Sequence, residues 1–137
     1  MSDAPDAAPT EPAWQGPRLF ALRGATSVPA NDRDAILERT TELLTAIMER
    51  NALSPADCVS AIFTCTPDLT AEFPAVAARA IGFDSVPLLC AQEIAKEGAL
   101  PLAVRIMLHV YRPADHQPQH VYLHEARALR ADLDAPQ

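Results

Sequence analysis

The pattern of apolar and polar positions predicts an alternation of strands and helices along most of the chain. Residues 18–24 (RLFALRG) are typical of a short strand that ends at Gly24. Asn31 is expected to cap a helix over about 32–50, with Asp34 in its first turn. Five residues of that segment recur at the spacing of one helix face: Ile36, Thr40, Leu43, Leu44 and Ile47.

The next two segments predict a buried strand and a second helix. Residues 58–66 (CVSAIFTCT) form a nearly continuous apolar run, which is typical of a strand buried on both faces. An Ala-rich helix is predicted over 73–81, and Gly82 is expected to end it. Its one cation, Arg79, has mostly apolar neighbours in the sequence, so its role needs an explanation.

The second half of the chain predicts further strands. One is expected over 86–90, and a last short one over 121–123. Residues 103–111 (AVRIMLHVY) alternate, with Val104 on one face and Arg105 on the other. The order β-α-β-α-β-β, followed by the short strand, predicts the α+β class, a mixed sheet with helices packed on it. The later strands have no long crossover helix between them.

Composition divides the chain into one domain and two tails. Residues 1–17 are rich in Pro, Ala and acidic residues and have no hydrophobic period, so we interpret them as a disordered extension. The single domain is expected over 18–133, followed by a C-terminal tail over 134–137. Of 137 residues, 49% are hydrophobic, which is enough for one core.

Charge and cysteine content narrow the class of protein. The formal net charge is −7, with a pI near 4.9, which argues against binding to nucleic acid or to an anionic membrane. Three cysteines without a C-x-x-C pair predict a reducing compartment rather than a disulfide framework. Neither a membrane span nor a signal peptide is recognisable, so we expect a cytoplasmic protein.

The common catalytic and metal-binding patterns are absent from the sequence. It contains no G-x-G-x-x-G, Walker, G-x-S-x-G or H-E-x-x-H motif. His116, His120 and His124 would share one helix face, but prolines interrupt that segment, so we interpret them as solvated loop histidines rather than metal ligands. Cys90 is a candidate nucleophile, but without a base nearby in sequence it is better interpreted as a small core thiol.

The arginines carry more information. Of the 11 basic residues ten are Arg, and four of them lie in apolar settings: Arg23, Arg79, Arg105 and Arg130. Each alone is compatible with a side chain that reaches solvent or pairs with a surface acid. Together they suggest a site for an anion with several carboxylates, because a guanidinium binds a planar carboxylate through two hydrogen bonds. Glu93 follows a predicted strand and could project from its end.

At these residues the sequence resembles a known family. The matching stretches are RGATSV (23–28), TPDL…FPA…AR (66–79), VPLLCAQE (86–93), LAVRIML (102–108) and HVYL…LRADL (120–133). In this order and spacing they are similar to the AroH-class chorismate mutases, the monofunctional trimeric type. The resemblance runs from about 19 to 133 and leaves out the N-terminal extension.

The resemblance implies the conversion of chorismate to prephenate in the pathway to Phe and Tyr. This Claisen rearrangement is unimolecular and pericyclic, so the family needs no cofactor, metal, nucleophile or general base. The enzyme must hold a dicarboxylate in a folded, chair-like conformation and stabilise charge as the ether C–O bond breaks. The resemblance also implies a domain related to the ferredoxin-like folds. It further implies a homotrimer in which the sheets form a pseudo α/β barrel and three active sites lie between subunits.

Residue roles follow from the family pattern. Arg105 matches the arginine that faces the ether oxygen, and Arg23 matches one that binds a substrate carboxylate. Tyr122 would add a phenolic hydrogen bond to that carboxylate. Glu93 matches the carboxylate near the ring hydroxyl, and Cys90 matches a thiol on the same side.

Further positions match the walls of the family's pocket. Leu129 and Arg130 match the C-terminal segment that helps to close it, and Leu88 and Leu89 match lining positions. Phe73, Ala75 and Arg79 match the wall that the neighbouring subunit supplies. Arg79 would then help to balance the charge of a dianionic ligand in an adjacent subunit's site.

The sequence departs from the family at two positions. Val76 replaces a frequent lysine, which removes a positive charge near the entrance, and Leu89 replaces a frequent threonine. Two other functions remain open at this point. A trimeric protein on this scaffold could bind a dicarboxylate without converting it. A deaminase-like enzyme of related fold could act on imines, although that family's motifs are not visible.

Overall fold

A computed structural model describes residues 16–133, with side chains as far as Leu129. Its elements are β1 (Pro17–Ser27), α1 (Arg33–Arg50), β2 (Cys58–Cys65), α2 (Ala75–Ala80), β3 (Leu88–Gln92), β4 (Ala103–Pro113) and β5 (Val121–Tyr122), with 3-10 helices at Pro55–Asp57 and His124–Leu133. The predicted order and the α+β class are confirmed. The expected tails lie outside the described residues, except that β1 already begins at Pro17.

The five strands form one mixed sheet in the order β3-β2-β4-β1-β5. β4 is antiparallel to both of its neighbours, β1 and β2. The outer pairs, β1 with β5 and β2 with β3, are parallel. Four strands of this sheet therefore carry the residues that the sequence singled out, and β4 lies at its centre.

Helix α1 covers one face of the sheet through the five residues that its periodicity predicted, all of them buried. Close contact with β1 depends on Gly24. A Cβ atom there would lie 2.6 Å from Cδ1 of Ile47 and 3.2 Å from Cδ1 of Leu43. Because real Cβ atoms do not approach other atoms so closely, glycine lets α1 pack directly on the strand that carries Arg23.

The predicted cap of α1 was wrong. Asp32, not Asn31, is the N-cap, and its carboxylate accepts from the backbone N–H of Ala35. Asn31 instead holds the loop before α2: its Oδ1 accepts from the N–H groups of Thr70 and Ala71, each over 2.9 Å. Both residues are good caps, and the tertiary contact decides between them.

The prediction that 58–66 is buried on both faces was also wrong for the single chain. Ala61 and Phe63 of β2 point into the core, whereas Ile62 on the other face is 38% exposed. The cause is one-sided covering, since α1 and α2 both contribute to the core on the same face of the sheet. We call the opposite face, with Arg105, Ile62 and their neighbours, the open face.

Candidate active site

Arg105 lies at the centre of the open face. Along the sheet it is paired with Thr64 of β2 on one side and with Ala25 of β1 on the other. Beyond Ala25 the same row continues to Tyr122 of β5. Period-two alternation thus directs one face of β4 into the core and places its arginine on the other, as the sequence predicted.

Glu93, just after β3, reaches Arg105 across the end of β2. Its Oε2 atom accepts from the hydroxyl of Thr64 over 2.6 Å and lies 3.2 Å from Nε of Arg105. The two groups form an ion pair. Nε of Arg105 is buried, and no residue in the described part of the chain accepts its hydrogen. The pair therefore holds the Arg105 guanidinium and the Glu93 carboxylate in place on the open face.

Arg23 faces the same side of the sheet, one row along from Arg105. It is paired with Met107 of β4, and its backbone N–H donates to Nδ1 of His120 over 3.0 Å. A surface cavity of about 280 Å³ lies between these elements. Its lining includes Arg23, Ile62, Thr64, Arg105, Met107 and Tyr122. The structure therefore brings together Arg23, Arg105 and Tyr122, three of the residues singled out by the sequence.

Tyr122 lies in a small cluster beside the sheet edge. It is 8% exposed and packs with Ala25 and Ala126, and Leu129 adds a partly buried contact from the C-terminal 3-10 helix. Leu129 thus lies against the wall of the cavity. The side chain of Arg130 is outside the part of the chain whose side chains are described.

Phe73 and Arg79 lie elsewhere, near the β3 edge of the sheet. Phe73 is 65% exposed and lines a second cavity of about 280 Å³ together with Cys65 and Cys90. Arg79 is exposed on α2. Three strand spacings separate β3 from β1, roughly 14 Å at the usual spacing of neighbouring strands. Within one chain, Phe73 and Arg79 therefore do not meet Arg23.

The loop that presents Phe73 is held firmly. In addition to the Asn31 contacts, Arg33 Nε donates to Glu72 over 3.0 Å, and the other oxygen of Glu72 accepts from the N–H of Phe73. An exposed aromatic ring on a fixed loop is suited to a partner surface.

The other three predicted wall residues lie in different environments. Ala75 is buried in the core, Leu88 packs against the core, and Leu89 is 61% exposed on the open face.

The cysteines do not form a reactive centre. Burial, followed by the nearby Cys90, Glu93 and Asp68, raises the pKa of Cys65 to about 12. Cys65 is therefore a thiol at neutral pH. All three cysteines are free, and Cys90 is partly buried against the core, as expected of a core thiol. Among the described residues, no group of His, Cys, Asp and Glu could hold a metal ion.

The interpretation of three histidines as solvated loop residues holds only in part: His116 and His120 lie in the loop before β5 and His120 is exposed, but all three side chains have partners. His116 Nε2 lies 3.0 Å from Oδ1 of the buried Asn51, and His124 Nε2 lies 2.9 Å from Glu42. His120 accepts from the backbone of Arg23. Sequence reasoning missed this last contact because its partner lies 97 residues away and no local pattern marks it. It also missed Thr64, which looks like one more residue of an apolar strand.

Helices able to cross a membrane are not found between residues 16 and 133.

Comparison with known proteins identifies the family of this chain. The family model for chorismate mutase type I matches residues 19–133. The chorismate mutase AroH of Thermus thermophilus is 43% identical over 119 residues, which span 85% of this chain and 97% of the relative.

A second relative and a solved structure agree. The chorismate mutase AroH of Bacillus subtilis is 42% identical over 118 residues, 84% of this chain and 92% of the relative. The chorismate mutase from Clostridium thermocellum superimposes with a TM-score of 0.75 at 43% identity, over 80% of this chain and 98% of that one. Sequence, fold and matched length together show that the chain belongs to the type I chorismate mutase family.

Proposed function

We propose that this chain converts chorismate to prephenate by holding the substrate folded and stabilising charge at its ether oxygen. Family membership supports the activity. The observation that carries the mechanism is the Arg105–Glu93 pair on the open face of the sheet. A pericyclic rearrangement needs positioning and electrostatic stabilisation rather than a nucleophile.

Arg105 is the electrostatic centre of the proposed mechanism. As the ether C–O bond breaks, negative charge grows on the oxygen. A permanent cation that lines the cavity is suited to stabilise it. Glu93 and Thr64 fix the guanidinium before substrate arrives, so little reorganisation is needed during the reaction. Glu93 also takes the role near the ring hydroxyl.

Arg23 and Tyr122 bind a substrate carboxylate in this proposal. They line the same cavity as Arg105, which places two cations on one side of a dianionic ligand. Leu89 of β3, on the open face, belongs to the pocket wall, and Leu129 and Arg130 close it from the C-terminal segment. Cys90 lines the second cavity beside Phe73, so it would belong to the wall that a neighbouring subunit supplies. Residues 18–133 form the catalytic domain.

We further propose a homotrimer with each active site between two subunits, and with the sheets arranged as a pseudo-barrel. Three observations support it. The open face exposes large apolar side chains, among them Leu19, Ile62 and Tyr111. Phe73 is exposed on a held loop. Arg79 cannot meet Arg23 within one chain, so a neighbour's Phe73 and Arg79 would complete the site.

The activity is tested by adding protein to chorismate and following the loss of its ultraviolet absorbance, without metal or cofactor. Decay with the wild type and loss of decay with Arg105→Ala are expected. Arg112→Ala is the matched control, because Arg112 lies on the same strand and is paired with Asp57 at 4.0 Å, away from the cavity. Binding of chorismate without decay would make this a binding protein on a mutase scaffold.

A further inference from the structure

In the β1–β5 ladder, the backbone N–H of Arg23 donates to a side chain instead of to a backbone carbonyl. In a regular parallel ladder the N–H of Arg23 would donate to the carbonyl of Gln119, two residues before Val121, the partner of Gly24. That carbonyl instead accepts from Nδ2 of Asn51 over 2.9 Å. The imidazole of His120 takes its place and accepts the Arg23 N–H through Nδ1 over 3.0 Å.

Asn51 fixes the segment that carries His120. Asn51 follows α1 and is 1% exposed. Its Nδ2 donates to Ile47 O as well as to Gln119 O, and its Oδ1 accepts from Gln119 N over 2.8 Å. Because the buried amide of Asn51 makes all of these hydrogen bonds, the backbone of Gln119, just before His120, has little freedom to move. The ring of His120 is therefore held against β1 by the chain before it.

We propose that His120 is a positioning residue for Arg23, whose backbone is held by the neutral imidazole and released when the ring is protonated. Only an unprotonated Nδ1 can accept the Arg23 N–H, so the bound tautomer carries its hydrogen on Nε2. Protonation replaces the acceptor with a donor that faces another donor. The inference rests on the proposed role of Arg23 in binding a substrate carboxylate.

The surroundings of His120 favour the neutral ring. Partial burial and then the Arg23 charge lower the pKa of His120, although the residue remains exposed by area. The segment before His120 contacts Asn51, a neutral residue that follows α1. After His120 the chain enters β5, which contains Tyr122. The other titratable ring on the segment, His116, is engaged by Asn51. The contact is thus complete above the ordinary imidazole pKa of about 6.5 and is lost as the pH falls through the lowered pKa of His120.

The test is the pH dependence of kcat/KM between pH 5 and 8 for the wild type and two variants. His120→Asn keeps an acceptor, because Oδ1 of asparagine can occupy the place of Nδ1 and does not titrate. His120→Ala removes the acceptor. We expect the wild type to lose kcat/KM on the acid side and His120→Asn to lack that decline. We expect His120→Ala to lose on the order of tenfold at pH 7.5, near the upper end of the net contribution of one hydrogen bond.

The control is His124→Asn, because His124 has φ 54, which asparagine tolerates, and contacts Glu42 rather than Arg23. This variant should keep the wild-type acid decline. An unchanged decline in His120→Asn, or full activity of a folded His120→Ala with the wild-type profile, would overturn the inference. Full activity of Arg23→Ala would instead contradict the proposed role of Arg23 itself, which separates the two failures.

Discussion

The hydroxyl of Thr64 donates to Oε2 of Glu93 over 2.6 Å, and this same oxygen faces Arg105. A residue inside an apolar strand thus orients the carboxylate that is paired with the proposed electrostatic centre. Because Thr64 and Arg105 are register partners on adjacent strands, the sheet itself sets the geometry of all three groups. Rigid elements hold charged groups more accurately than loops do.

Arg105→Lys should lower kcat by at least about a hundredfold, the scale of losing one transition-state donor. Lysine keeps the positive charge, but it has no planar fork with a side-facing Nε–H. The measurement is steady-state conversion of chorismate at saturating substrate. Arg112→Lys, the same change further along β4, should leave kcat within about twofold. Near-normal turnover by Arg105→Lys would remove Arg105 from the central role.

Thr64→Val should lower kcat by about tenfold, because it removes one charge-assisted hydrogen bond while nearly conserving volume. Thr64→Ser keeps the hydroxyl and should stay close to the wild type. The ratio of the two variants isolates the hydroxyl from the shape of the side chain. Equal rates for both would mean that Glu93 is oriented without Thr64.

Subunit mixing tests the interfacial site. Arg105→Ala and Arg79→Glu are each expected to be impaired, but in co-refolded mixtures some sites join an intact Arg105 to an intact Arg79. In an equal mixture of a cyclic trimer, about a quarter of the sites should be restored.

The control mixture pairs Arg105→Ala with Arg23→Ala. Both changes affect the same half of the site, so no restored site can form and activity should stay at the mean of the two variants. The same flat result for the Arg79 mixture would contradict a site shared between chains.

Val76→Lys should improve substrate capture. Val76 is partly buried in α2, less than one turn before the exposed Arg79. A second cation beside it should lower KM for the dianionic substrate by roughly threefold to tenfold and make KM more sensitive to salt. Val76→Met has similar length without charge and should not show the salt effect. An unchanged KM would place Val76 away from the entrance.

Gly24→Ala should destabilise the fold by about 1–3 kcal/mol, since the new Cβ would overlap Cδ1 of Ile47. Urea unfolding at a fixed protein concentration measures the change. Ile47→Val deletes the overlapping atom, so the alanine should cost less in that background. An equal cost in both backgrounds would assign the effect to another contact.

Sequence reasoning succeeded where the signal is local and periodic. The two-residue alternation of β4 was sufficient to separate Val104, in the core, from Arg105, on the open face. The i, i+4 pattern of α1 identified its buried side without error. In both cases, burial of one face requires a repeating pattern that a single sequence displays.

Contacts between distant segments could not be found in this way. The pairing of Glu93 with Arg105 was expected only in the sense that both belong to the site, and the orienting hydroxyl of Thr64 was not expected. Asn31 is an equally good cap in isolation, but its partners lie in the loop at 70–71. The apolar run of β2 does not say whether its second face is covered, and in the single chain that face is open.

The parity of the central strands has a consequence for how the protein can change over time. In β1 and β4 alike, even-numbered side chains such as Leu22 and Leu108 pack in the core, and odd-numbered ones such as Arg23 and Arg105 lie on the open face. Neighbouring residues along these strands are therefore under different selection, one for packing in the core and the next for contact with a ligand. Substitutions near Arg23 and Arg105 on the open face can therefore alter substrate preference while the side chains of Leu22 and Leu108 keep their packing on the other face.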